Sequence, residues 1–214
     1  MNKTLPPDGR KNCILCILFT ILVSIGFGFA IYNLVYPPGV KHELSAREMQ
    51  KNEILAYKNL KIIAAAQEKY IQKDWTGDGQ KSYALFYIHL WRSISPQGDH
   101  VPVNLIPREL GFAMDISSPL SGYYYMDLRH WRLDLKNRQE FNYEKEWALA
   151  AAPSIYRHTG FLTLIVNHTG RIYATQQMHS EPEHPIAPQK SGWTEINNLQ
   201  QLQEFQKKIP YPQQ

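Results

Sequence analysis

Asp74-Trp75-Thr76-Gly77-Asp78-Gly79 is the stretch whose residue types and spacing come closest to a chemical site. Side-chain oxygens of Asp74, Thr76 and Asp78 fall at positions 1, 3 and 5 of a calcium loop, with Gly79 at position 6, a pattern that suits a hard divalent cation. Position 12 would be Leu85, so the bidentate glutamate that such a loop needs is missing. A helix end running into a glycine turn accounts for the same residues without metal. The turn is the expectation here, Asp74, Thr76 and Asp78 are the candidate calcium ligands, and no cofactor is expected.

His179-Ser180-Glu181-Pro182-Glu183-His184 gathers four more metal-ligating side chains. Pro182 breaks any helix there, and neither an H-E-x-x-H motif nor a helical i, i+4 pair is present, so it reads as solvated loop. No G-x-S-x-G elbow occurs, no glycine-rich phosphate loop follows a strand, and Cys13 and Cys16 are the only cysteines. His130, His158 and His168 sit by turns. The chain is therefore read as non-catalytic. Tyr123, Tyr124, Tyr125, Trp131 and Trp147 would suit a glycan-binding face, but alternation along strands buries about half of such rings, and core is the expected fate. Asn167-His168-Thr169 is a glycosylation sequon that reads as turn chemistry.

These residues need elements to hold them. Residues 41–73 carry Ala56, Leu60, Ile63, Ala64, Gln67 and Ile71 at spacings of three and four, which predicts a long amphipathic helix. A shorter helix is expected from the i, i+3, i+4, i+7 spacing of Tyr83, Phe86, Tyr87 and Leu90. Four prolines make residues 94–121 a loop with one helical turn near Pro107 to Phe112. Strands are expected at 122–128, 145–152, 161–167 and 171–176, the last two joined by the hairpin turn Asn167 to Gly170. The alanines of the 145–152 segment should leave room on one face for a helix. Residues 178–192 read as loop, and Asn198 with Gln201 caps a final amphipathic helix over 198–208. The fold class expected is α+β, a long helix packed on a roughly four-stranded antiparallel sheet.

Residues 13–36 contain no charged side chain, and a run of about 24 such residues exceeds the roughly 20 that span a bilayer as a helix. The expected organisation is a cytoplasmic tail at 1–12, a single transmembrane helix at 13–36 and an extracytoplasmic α+β domain at 37–214. Lys3, Arg10 and Lys11 place the N-terminus in the cytoplasm, and the exit Tyr36-Pro37-Pro38-Gly39 offers no signal-peptidase site. Ser24, Gly26, Gly28 and Ala30 form small-xxx-small pairs through which the helix could self-associate. With a net charge of +4 and basic residues scattered among acids instead of forming a stripe, nucleic-acid binding has little support.

The order of these elements resembles the type IV pilin-like domains of bacterial secretion-pathway proteins, the pseudopilins. A helix ending Asn-Leu-x-x-Ile-x-x-Ala-Gln-x-x-Tyr is met by Asn59, Leu60, Ile63, Ala66, Gln67 and Tyr70. A Gly-Asp-Gly turn follows at Gly77 to Gly79, then a tyrosine-rich strand at Tyr123 to Tyr125. A closing strand pair is met by Gly160, Thr163, Ile165, Val166, Asn167, Gly170, Ile172 and Tyr173. In place of a Gly-Phe-Thr-Leu-Ile-Glu-type processing site the chain has Arg10-Lys11-Asn12-Cys13, and no acid lies within the apolar run. The resemblance implies a non-cleaved, membrane-anchored relative with a pilin-like head. Its role would be structural or in protein interaction, with the membrane and other envelope or pilin-like proteins as partners. A membrane-tethered glycan or peptide binding module is the alternative, and a periplasmic enzyme the third.

Overall fold

In the computed structural model, residues 44–128, 130–132, 138–140, 142–176, 185 and 187–212 are described. The apolar run 13–36, its Ser24, Gly26, Gly28 and Ala30, and the 179–184 cluster lie outside them. Among the described residues no helix is long and apolar enough to cross a membrane.

Helix α1 spans Ala46–Tyr70 and starts at a reciprocal cap. The Ser45 hydroxyl accepts from the Glu48 amide at 3.2 Å, and the Glu48 carboxylate accepts from the Ser45 amide at 2.8 Å. Such a cap contributes about 1 kcal/mol and fixes the helix start, five residues later than the periodicity alone suggests. Met49, Ala56, Leu60, Ile63, Ala64 and Ala66 bury the stripe facing the sheet. Glu53 and Gln67 lie in the same stripe, fully buried.

The sheet is antiparallel and has five strands, one more than expected. Its order is β3 (Tyr123–Leu128), β6 (Ala148–Pro153), β7 (Thr163–Asn167), β8 (Ile172–Thr175) and β9 (Thr194–Ile196). The central β7 is buried at every position, as its apolar sequence requires. The β7–β8 turn closes as expected, with Gly170 in the left-handed region at φ 68° donating to the Asn167 carbonyl at 2.8 Å. Asn167 is itself buried, its side-chain oxygen accepting from the Thr169 hydroxyl at 2.6 Å and its side-chain amide donating to the Pro185 carbonyl at 3.1 Å. The side chains of Asn167 and Thr169 thus serve the turn.

Tyr123, Tyr125, Leu149, Ala151, Leu164 and Val166 join α1 in the main core. Ala148 and Ala150 project to the other face with Leu128, Ile165, Tyr173 and Trp193. The alanine room is thus divided between the two faces: Ala151 gives it to the helix side, and Ala148 and Ala150 give it to the rings of Tyr173 and Trp193. Tyr123, Tyr124, Tyr125 and Trp147 are all buried, more than alternation alone predicts because Tyr124, on the opposite face from its neighbours, is covered too, while the side chain of Trp131 is not among those described.

Two small hairpins occupy segments read as loop or left unassigned. β1 (Arg92–Ile94) pairs with β2 (His100–Pro102), and β4 (His130–Arg132) with β5 (Arg138–Glu140). Helix α2 (Arg108–Phe112) forms where one turn was expected, and α3 (Leu199–Gln206) begins at Asn198, whose side chain accepts from the Gln201 amide at 2.9 Å. The helix expected over 83–90 shrinks to a 3-10 turn at Tyr87–Leu90. Long-range partners take its main chain: the Gln67 amide group brackets Ala84, accepting from its N–H at 2.8 Å and donating to its carbonyl at 3.3 Å. The Tyr87 N–H goes to Asp127 at 3.0 Å.

Candidate functional site

The segment that leaves α1 folds on Asp74. One carboxylate oxygen accepts from the Gly77 amide at 2.7 Å, the other from the Gly79 amide at 2.9 Å, and both glycines sit in the left-handed region that the turn demands. These amides, the Gly79 bond foremost, hold the Asp74 carboxyl below its ordinary value. Asp78 in turn accepts from the Gln80 amide at 2.8 Å. The three sequence candidates are thus brought into one turn, with the Thr76 hydroxyl donating to Asp74 at 3.3 Å. Among the described residues no group of three or more His, Cys, Asp or Glu side chains is arranged to hold a metal ion. Both oxygens of Asp74 already serve the turn. Thermal melts with and without millimolar calcium are therefore expected to coincide; an upward shift that grows with calcium concentration would show that the loop ligates after all.

Beside this turn lies a cleft of about 410 Å³. Tyr70, Trp75, Tyr83 and Tyr143 supply aromatic surface, Asp78 and Glu144 supply carboxylates, and Ser93 and Ile94 of β1 form one wall. The Trp75 indole is locked from below, donating to the Tyr70 carbonyl at 3.1 Å and stacking on the Tyr70 ring at 6.1 Å between centroids. The Lys73 ammonium rests 4.1 Å from the centre of the Trp75 ring. His89, also on the cleft, is kept toward its neutral form by burial. Such a lining can bind a ligand with apolar and hydrogen-bonding parts.

A second polar centre lies near the start of α1 and was not read from the sequence. Glu53 is completely buried. One of its oxygens accepts from the consecutive amides of Phe161 and Leu162, at 2.8 and 3.3 Å. The other accepts from the Gln206 side chain at 2.6 Å and from the Tyr211 hydroxyl. Burial pushes the carboxyl above its ordinary value, and the hydrogen bonds, led by that from Tyr211, pull against it. The signal existed: Glu53 falls within the apolar repeat Met49, Ala56, Leu60, Ile63, where a charged residue demands partners. What the repeat cannot name is the partners, which lie more than a hundred residues away.

The 410 Å³ cleft and the Glu53 clamp both draw on the region that a known family describes. Neither curated proteins nor solved structures gave a match to the chain. The family model described as "Protein of unknown function (DUF2950)" matches residues 38–184, well over half of the 214 residues, and by that match the chain belongs to the DUF2950 family.

Proposed function

We propose that this is a single-pass, membrane-anchored protein whose pilin-like head binds other proteins of the bacterial envelope and performs no catalysis. The observation that carries the reading is the 25-residue helix α1 lying on an antiparallel sheet and following, in the chain, an uncharged run of spanning length. The layering of a helix on a sheet supports the likeness to pilin-like domains, and the aromatic and polar lining of the cleft suits binding. The N-terminus is cytoplasmic and the head extracytoplasmic in this reading. Ser24, Gly26, Gly28 and Ala30 offer a face for pairing within the membrane.

The test is the intact mass of the membrane-extracted protein after crosslinking in cells. A full-length chain joined to a different protein is the expected result. A shortened chain in a ladder of its own multimers would replace the anchored adaptor with a processed, polymerising subunit. A full-length chain found only as a monomer would remove the interaction role.

A further inference from the structure

Among the described residues β1 pairs only with β2, which leaves its other edge open, and its position in the hairpin decides which main-chain groups that edge presents. The Val103 amide donates to the Trp91 carbonyl at 3.1 Å and the Ser95 amide to the Asp99 carbonyl at 2.9 Å. The pairs 91/103 and 95/99 are therefore hydrogen-bonded, and in an antiparallel ladder 93/101 between them is bonded too. The main-chain groups of Ile94 point the other way, off the hairpin, and Ile94, a residue 48% exposed, is also a wall of the cleft. Ser93, on the opposite face, is anchored by its hydroxyl to that of Tyr70 at 3.1 Å. The edge is thus fixed to the end of α1 and opens onto aromatic side chains. An extended chain has the N–H and C=O that such an edge lacks.

Charge narrows the partner. Asp78 and Glu144 line the cleft, both are exposed, and among the described residues neither forms an ion pair. The one lysine on the cleft, Lys73, is engaged with Trp75. We propose that the cleft takes an extended peptide segment of another protein, paired to the main chain of Ile94, with apolar side chains against Trp75 and Tyr83 and a basic side chain toward Asp78 and Glu144. This rests on the protein-interaction reading above and gives it a place and a ligand chemistry.

The test uses the full chain in nanodiscs and three capped nonapeptides: alternating Val and Lys, alternating Val and Glu, and the Val/Lys peptide N-methylated at alternate residues. The Val/Lys peptide should bind and slow hydrogen exchange at the Ile94 amide. N-methylation, which removes the edge hydrogen bonds, should weaken binding about tenfold or more, and the Val/Glu peptide should bind more weakly still. Ile94→Pro removes one edge donor without touching the β1–β2 ladder and should have the same effect as N-methylation. Equal binding of the methylated peptide to the native chain overturns the proposal whatever the proline variant does. So does an Ile94 amide already slow in the free chain, or binding of chitotetraose with none of the peptides. Loss of peptide binding would leave a crosslinked complex in cells unaffected if that complex uses another surface, so the two readings fail separately.

Discussion

Glu53→Ala is expected to lower the unfolding free energy by about 3–5 kcal/mol, read as the shift in a urea transition at constant slope. The buried amides of Phe161 and Leu162 lose their acceptor at once, and the side-chain amide of Gln206 loses one of its two, keeping the Gln50 carbonyl. Each orphaned donor costs roughly 1–3 kcal/mol, offset in part by relief of the carboxylate's own desolvation. Tyr211 loses its anchor as well, so the segment after α3 should become open to protease while β7 and β8 stay protected. A variant with native stability and native protease resistance would show that the clamp does not hold the C-terminal segment.

The same residue fixes the sign of a pH effect. Burial raises the folded-state value of Glu53 above that of the unfolded chain. Its contribution is then fully present below the ordinary carboxylate range, where the acid is neutral in both states, and is lost as pH rises through the raised folded value. The neutral acid can donate to the Tyr211 oxygen, which already faces it. Glu53→Gln does not titrate, so the stability of the native chain minus that of Glu53→Gln should fall as pH rises from the ordinary carboxylate range toward neutrality. A difference that grows with pH would mean that the hydrogen bonds outweigh burial and that the carboxylate is the favoured form.

Gly160→Ala is the second large effect, expected at about 3 kcal/mol. A β-carbon on residue 160 would stand 2.3 Å from the Tyr123 hydroxyl oxygen and 2.8 Å from its ring. Tyr123 cannot swing away, because it is fully buried and its hydroxyl donates to the Leu162 carbonyl at 2.8 Å. Adding Tyr123→Phe removes the nearest atom. In a double-mutant cycle the pair should show about 1–2 kcal/mol of favourable coupling, and strict additivity would place the strain elsewhere. The glycine that opens the closing strand pair is thus required by one tyrosine ring, and the Glu53 clamp begins at the very next residue, Phe161. The two substitutions probe neighbouring parts of one packed corner.

Local rules were enough for much of the architecture. The 3.6-residue repeat located α1, the Asn198–Gln201 spacing located the start of α3, and Asn167 to Gly170 located the β7–β8 turn, because each depends on residues within a few positions of one another. The burial of Tyr123, Tyr125 and Trp147 was legible from aromatic rings in or beside a strand, whereas that of Tyr124 depends on cover over the strand's other face. The helix expected at Tyr83 to Leu90 was not realised, since side chains of Gln67 and Asp127 bind the amides of Ala84 and Tyr87 in place of helical carbonyls. β9 was missed because three residues, Thr194–Ile196, carry little pattern of their own and become a strand only by pairing with β8. β1 and β2 have only three residues each, and Pro102 disguises the second.

What the sequence by itself determined is the α+β class, the long helix, the central hairpin and the chemistry of the Asp74 turn, all products of short-range periodicity and capping. Only the tertiary structure decided that Glu53 is a clamp, that Gly160 must be glycine, and that the turn borders an aromatic cleft with an open strand edge. Those depend on desolvation, steric contact and pairing between residues far apart in the chain, quantities that no local pattern encodes.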